Sequence, residues 1–348
     1  MGLIERSCEF LLYNGRLHSH LTPMKTFLIL AAATTSISLL LPSLFAAETT
    51  VAPARIAAWN VACGRNDKGG TPIPDDRIAR LGEVIATKIK PDVLVLEEVW
   101  PASASAAIAK ASTDAGFPME AVEVPPQDPD VVQLVTIIKR PGVEVKDVGL
   151  IENSNDLVDG DEPEEKTTRK AVIASVKVNQ FDFYLVGVHL KSKRPSKTIA
   201  ISPMEMRDRQ CKTIADRLHQ LVTSGKEKDI LLVGDFNMTP AGQANAGEPD
   251  DVKNFETLNS HQELRFVSDD SRDKTHMGFY KGGIRRSKLD GYAIARSTEA
   301  AYVPGSFQVM KDTVLGLSER QFTNTRADNF LSDHYPIVAE FDQTKDAD

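Results

Sequence analysis

The chain has 348 residues, is 41% apolar and 26% charged, and carries a formal net charge of −8. That balance is ordinary for a soluble globular protein, leaves room for one large or two ordinary domains, and excludes a protein that holds nucleic acid by bulk positive charge. Brief contact with a phosphodiester at a local basic site stays open. Three cysteines make no disulfide framework. Cys63 and Cys211 leave room for one bridge in an oxidising compartment, and neither has metal-ligand spacing.

Residues 1–23 carry no readable pattern and fit an upstream start, with Met24 the working initiator. From Met24 the order is a basic residue, Lys25, then an apolar stretch, then small residues at Ala46 and Ala47. This is the order of a secretory signal over 24–47, with export to the periplasm or the outside as the expectation. An uncleaved membrane anchor is the alternative. Residues 48–348 form the mature chain, read as one domain because no repeat and no clean linker interrupts it.

Along that chain, strand-like and helix-like segments alternate. RIAAWNV (55–61) and VLVLEEV (93–99) read as strands. Between them a helix over 76–88 keeps Ile78, Leu81, Ile85 and Ile89 at helical spacing, and Pro91 closes it. An Ala-rich helix fits 103–114. Four strands follow, at 131–140, 143–151, 170–178 and 181–190, the last two joined by a tight turn at Asn179 and Gln180. The longest helix spans 203–224. A strand over 230–235 ends in Gly234 and Asp235, with Asn237 two residues further on the same face; an acid and an amide after glycine also suit a plain turn. The chain then reads as loop until strands at 287–294 and 332–341. The acidic stretch 152–166 lacks the residue order of a calcium loop and reads as a solvated loop.

Nearly every strand of the presumed core ends in an acid, an amide or an imidazole: Asn60, Glu98, His189, Asp235 with Asn237, Asp290, and Asp333 with His334. Each has a bland explanation alone. Ligand sites of sheet proteins collect at strand ends, and converging carboxylates call for a divalent cation or a shared proton.

The motifs WN (59–60), LEEV (96–99), GVHLKS (187–192), GDFN (234–237), LDGYAI (289–294) and SDHYPIVAEF (332–341) resemble, in order, those of the endonuclease/exonuclease/phosphatase superfamily. The deoxyribonuclease I-like branch is the most similar. The resemblance implies an α/β fold: a four-layer α/β sandwich, two mostly antiparallel sheets packed together and flanked by helices. It implies a Mg²⁺ site at Glu98 helped by Asn60, with Mn²⁺ or Ca²⁺ as substitutes. His334 is then the catalytic histidine with Asp333 beside it, His189 the second histidine, and Asp290 an acid paired with a catalytic imidazole. Asp235 and Asn237 would orient water or grip phosphate, and Arg169 would hold a phosphate oxygen. A glutamate that backs the first histidine in that branch is replaced by Gln133.

The implied activity is a secreted, Mg²⁺-dependent phosphodiesterase with DNA or RNA as substrate, cleaved by in-line attack of water. A neutral His334 would accept a proton and His189 would give one. Basic clusters at 191–197 and 281–288 would form a rim that receives a polyanion. No stable nucleic-acid complex and no obligate protein partner are expected, and the chain is read as a monomer. Two alternatives stay open: a phosphomonoesterase or lipid phosphodiesterase of the inositol-phosphate or sphingomyelinase type on the same fold, and a non-catalytic binding module. The polar loops offer no membrane-entering apolar surface for a lipid substrate. A fold without chemistry would have to bury several acids without a cation.

Overall fold

A computed structural model describes residues 51–66, 69–128, 131–155, 169–195, 201–225, 227–239, 249–280, 283–311 and 331–346. The expected signal segment (24–47), the stretch before it, the acidic loop beyond residue 155 and the end of the first basic cluster (196–197) lie outside the described residues. No helix among the described residues is long and apolar enough to cross a membrane.

In chain order the elements are β1 (Ala54–Asn60), β2 (Gly64–Asn66), β3 (Gly69–Thr71), α1 (Asp75–Val84), β4 (Val93–Val99), α2 (Ala104–Asp114), β5 (Glu120–Ala121), β6 (Leu134–Lys139), β7 (Glu144–Leu150), β8 (Val172–Val178) and β9 (Phe181–His189). Then come α3 (Pro203–Ser224), β10 (Ile230–Asp235), α4 (Pro249–Leu258), β11 (Leu264–Phe266), β12 (His276–Tyr280), β13 (Gly283–Ser287), β14 (Asp290–Ala295), β15 (Gln308–Val309) and β16 (Ile337–Phe341). One six-stranded sheet has the order β15-β16-β1-β4-β6-β5 and the other β11-β14-β10-β9-β8-β7. Each is antiparallel except for one central parallel pair, β1 with β4 and β9 with β10.

Period-2 alternation explains the layering. On β4, Val93 and Val95 face the other sheet, where they meet Phe183, Leu185, Leu231 and Tyr292, with Ile56 of β1 beside them. Leu94 and Leu96 face outward under α1 and α2, beside Leu81, Ile85 and Ile108. The second sheet repeats the plan: Val186, Leu232 and Ala293 face outward under α3 and α4, against Ile214, Leu218 and Leu258. Three apolar layers between four layers of elements make the α/β sandwich that the motifs imply. Each fully buried aliphatic or aromatic side chain there contributes about 1.5–3 kcal/mol.

Several elements differ from the sequence reading. The helix expected to run to residue 88 leaves α geometry after Val84, continues as a π turn over Ile85–Ile89, and stops at Lys90 in the left-handed region; Pro91 disfavours helix at the residue before it. The strand expected from 131 starts at Leu134, because Leu134 pairs with Val99, the last residue of β4. The strand expected from 332 starts at Ile337. Residues 333–335 bond instead to the start of β12, Met277 N–H donating to the Asp333 carbonyl and Tyr335 N–H to that of Thr275. The region expected as loop between Asp235 and residue 287 holds α4, β11 and the β12–β13 hairpin. Cys63 and Cys211 are not joined: Cys63 lies in the apolar layer under α1 and α2, and Cys211, on α3, in the layer on the opposite outer face.

Candidate active site at one end of the sandwich

The same alternation that buries valines between the sheets turns polar at one end. Asn60 continues the inward face of β1, Glu97 that of β4, His189 that of β9, Asp235 that of β10, and Asp290 begins that of β14. All five are at most 4% exposed. Glu98 would point outward by strict alternation, but a bulge between Leu96 and Val99 places it at φ +54°, so two successive acids reach the site region. A non-glycine residue held there stores strain that bulges next to functional sites commonly carry. At Gly234, φ is +131° and a Cβ would lie 2.1 Å from the Val188 carbonyl oxygen, so only glycine lets β10 close on β9 before Asp235.

His334 is gripped from one side. Its Nδ1 lies 3.0 and 2.9 Å from the two oxygens of Asp290, whose backbone N–H donates to Thr275 Oγ1. Ser332 holds the loop, donating to the Asn60 carbonyl and accepting from His334 N–H. Nε2 faces Asp235 at 3.9 Å and Asp333 at 4.0 Å. Burial alone would lower the imidazole pKa. Asp290, then Asp235 and Asp333, outweigh it and raise the value well above the ordinary one, so His334 is held as imidazolium.

His189 is the opposite case. Its Nε2 lies 3.4 Å from Asp235 and 3.6 Å from Glu98, while its Nδ1 is buried with no hydrogen-bond partner. Burial, with Arg169 nearby, drives its pKa well below the ordinary range. Gln133 does not support this ring: its amide oxygen accepts from Arg169 Nη1 at 3.3 Å. Arg169, expected on a phosphate oxygen, also reaches backbone carbonyls. It donates to the carbonyls of His189 and Leu190 at 2.7 and 2.9 Å, pinning the end of β9.

Asn60, expected to help hold the metal, is oriented by the backbone that follows it. Its side-chain oxygen accepts from Ala62 N–H at 2.9 Å, which turns its N–H₂ group toward Glu98 (3.3 Å) and Asp235 (3.2 Å). In this orientation it positions two carboxylates. Asn237, at φ +51°, donates its backbone N–H to Asp235 Oδ1 at 2.8 Å and its amide N–H to the Leu190 carbonyl. Asp235 is pushed up to about 6 by burial, against the pull of His334 and with the push of Asp290. Glu98 is raised to about 7 by burial and then by Asp333. Asp333 itself is drawn down to about 2: burial pushes it up, but His276 and His334 more than compensate.

Three functional-site neighbours escaped the sequence reading. Glu97, fully buried with both oxygens unpartnered, was legible from the inward alternation of Val93 and Val95. His276 opens β12 3.7 Å from Asp333; two strand-like runs around Lys281-Gly282-Gly283 were the available hairpin signal. Arg77, on α1, donates to the carbonyls of Val61, Ala62 and Leu331 and so clamps the loops after Asn60 and before Asp333. The expected basic rim is partly tied down, with Lys193 and Arg194 still exposed. Lys193 pairs with the buried Asp251 at 2.6 Å, Lys191 bends to loop carbonyls, and Lys288 is buried on those of Ser268 and Ser271. Arg285 and Arg286 stand exposed on β13.

A buried acid–imidazole pair facing further carboxylates at one end of a two-sheet sandwich fits a phosphoester-cleaving class of hydrolase. The chain belongs to the Endonuclease/Exonuclease/phosphatase family, whose pattern it matches over residues 57–251, more than half of its length. Solved structures share the fold at low identity. TDP2 of D. rerio, complexed with single-strand DNA product, is 17% identical with a TM-score of 0.53, covering 83% of this chain and 98% of that one. The mannosyl-6-phosphatase of Bacteroides thetaiotaomicron VPI-5482 is 14% identical with a TM-score of 0.54, covering 83% and 99%. A Bacteroides thetaiotaomicron protein of the same family is 13% identical with a TM-score of 0.55, covering 83% and 94%. No curated protein matches the chain in sequence.

Proposed function

We propose that this hydrolase cleaves phosphodiesters of DNA or RNA by in-line attack of water, with one divalent cation, Mg²⁺ first. The observation that carries it is His334, locked by Asp290 on Nδ1 and presenting Nε2 to Asp235. The residues fit a cation. Glu97, Glu98, Asp235, Asp290 and Asp333 converge, and the Glu98 carboxyl is raised first by burial and then by the neighbouring Asp333. Glu98 would hold the ion, with Asp333 the carboxylate that acts on it most strongly; hard oxygens suit Mg²⁺. When bound, the ion neutralises charge on a phosphoryl oxygen.

The remaining work falls to this chain's own groups, with proton roles other than the sequence suggested. His334 is the protonated imidazole, so it is the donor: its Nε2–H meets a phosphoryl or leaving oxygen. Asp235, at about 6, has the pKa of a base near neutral pH and takes the proton of the attacking water. The water oxygen bonds to phosphorus as the bond to the leaving oxygen breaks, and the proton from His334 goes to that oxygen. Oδ2 of Asp235 lies 3.9 Å from Nε2, and the proton it has taken passes to His334 and restores the imidazolium. His189, neutral beside Asp235 and Glu98, and the amides of Asn60 and Asn237 hold the carboxylates in place.

Two further points belong to the reading. Export after a signal at 24–47 is proposed on sequence alone. A small phosphate ester is the second substrate reading, because pairing of Lys193 and burial of Lys288 remove charge from the rim a polyanion would use; one structural neighbour is a mannosyl-6-phosphatase, while another was solved with single-strand DNA product. A lipid substrate has little support, since Val51 is the exposed large apolar residue among the described ones. The test is nicking of supercoiled plasmid by the mature protein with Mg²⁺, with EDTA, and with Glu98→Ala. Metal-dependent nicking lost in the variant is expected. A folded protein that leaves plasmid intact and hydrolyses small phosphate esters would overturn the nuclease reading.

A further inference from the structure

His276 has no part in the chemistry above, yet it stands against the catalytic pair. A lone antiparallel bridge joins it to His334, and Met277 N–H bonds to the Asp333 carbonyl, so the start of β12 is fixed beside residues 333–335. The two imidazole rings are 4.6 Å apart and tilted by 52°. Nε2 of His276 lies 3.7 Å from Asp333 Oδ2, and Nε2 of His334 lies 4.0 Å from Asp333 Oδ1. One ligand atom from each of the three side chains falls within 4.8 Å of the others.

We propose that His276, Asp333 and His334 form a second cation site, one that takes a divalent transition metal of the zinc type and is distinct from the oxygen-rich site at Glu98. Two imidazoles and a carboxylate are a donor set for Zn²⁺ or Co²⁺, not for Mg²⁺. Donors around a tetrahedral Zn²⁺ stand about 3.3 Å apart, so atoms that lie within 4.8 Å of one another need to close by at most about 1.5 Å. The Asp333 side chain, 43% exposed, has the freedom to do so. Asp290 on Nδ1 of His334 supplies the carboxylate–histidine support that orients ligating imidazoles. Asp235, Asp290 and His334 also lie within ligand distance, but Asp290 is committed to Nδ1.

Three protein ligands leave a fourth position open to water or a substrate oxygen. Nδ1 of His276 has no partner, so this ligand lacks the outer support of a permanently held ion, and the cation exchanges. Binding does not depend on which ester the chain cleaves. One consequence rests on the reading of His334 as proton donor: a cation on its Nε2 displaces that proton, so Zn²⁺ inhibits Mg²⁺-supported turnover.

The experiment is titration of the metal-stripped mature chain with Zn²⁺ and with Co²⁺ in excess Mg²⁺, read by calorimetry and visible absorption. Wild type, His276→Ala, His276→Gln and Glu98→Gln are compared, with circular dichroism confirming the fold of each. Expected are one Zn²⁺ equivalent and the visible bands of nitrogen-ligated Co²⁺, both retained in Glu98→Gln. Zn²⁺ affinity falls at least about tenfold in both His276 variants. The proposal is overturned if the His276 variants bind as wild type does, or if Glu98→Gln abolishes binding. Binding without inhibition overturns only the proton role of His334, and the binding arms decide the site even for a chain that cleaves no DNA.

Discussion

Two imidazole pockets flank Asp235, and they teach what burial does alone and what it does with a partner. His189 and His334 are 4% and 5% exposed, and each presents Nε2 to the same carboxylate, at 3.4 and 3.9 Å. Their pKa values move in opposite directions. The difference lies on the far side of each ring. Asp290 meets Nδ1 of His334, whereas Nδ1 of His189 meets nothing that hydrogen-bonds, and Arg169 adds positive charge nearby. Desolvation disfavours the charged form in both pockets; only a paired carboxylate reverses the outcome.

Asp290→Asn makes the first pocket like the second and has the largest expected effect. Turnover should fall by roughly 10²–10⁴-fold, the usual contribution of a positioned proton carrier. The pH profile sharpens the point. Asp290 raises the pKa of His334, so the working imidazolium is lost only at high pH. Without that charge the proton leaves at lower pH, and the alkaline limb of kcat should shift toward acid. An unmoved limb would mean that the proton on His334 is not the one that works.

The two pockets were not equally legible in the sequence. Asp290, His334, His189 and Asp235 were readable because strand ends put polar residues where alternation had placed valines, and motif order did the rest. The tether roles of Asn60 and Arg169 were not readable, since they depend on which backbone groups the loops bring within reach: Ala62 N–H in one case, the His189 and Leu190 carbonyls in the other. Proton roles also escaped, because they follow from what faces the far nitrogen of each ring. His276 was missed with its hairpin, whose strands are short and separated by glycines. The fold itself was legible almost throughout, as continuous apolar runs and period-2 alternation survive without knowledge of neighbours. What slipped were strand starts, at Leu134 and Ile337, where the partner strand ends or a different partner takes over, the end of α1, and the short elements α4, β11, β12 and β13 in a stretch read as loop.

Removing the second ring should cost less activity and should show in stability. His189 is neutral in the folded state and titrates near the ordinary value when unfolded. Between those values the unfolded chain binds the extra proton, so folding stability falls as pH drops below about 6.5. His189→Gln lacks this penalty. The melting temperature of the variant relative to wild type should therefore improve on going from pH 7.5 to 5.5, by roughly 2–4 °C for each kcal/mol recovered. Parallel melting curves across that range would show that the imidazole titrates in the native pocket as it does in the unfolded chain.

Glu97 gives the smallest effect and isolates burial most cleanly, because it is the acid analogue of an unpartnered ring. Both its oxygens lack hydrogen-bond partners. Burial, followed by Asp290 and Asp235, raises its pKa well above the ordinary value, so the folded state keeps it protonated at neutral pH while the unfolded chain ionises it. The folded state then holds the extra proton, and stability declines as pH rises from the ordinary glutamate value through the raised one. Glu97→Gln preserves shape and stays neutral, so it removes that decline. The variant should match wild type near pH 4.5 and gain on it as pH rises toward 8, with activity changed only a few-fold. A variant less stable at pH 8 than at pH 4.5, relative to wild type, would instead assign Glu97 an ionised role among the carboxylates that gather around the cation.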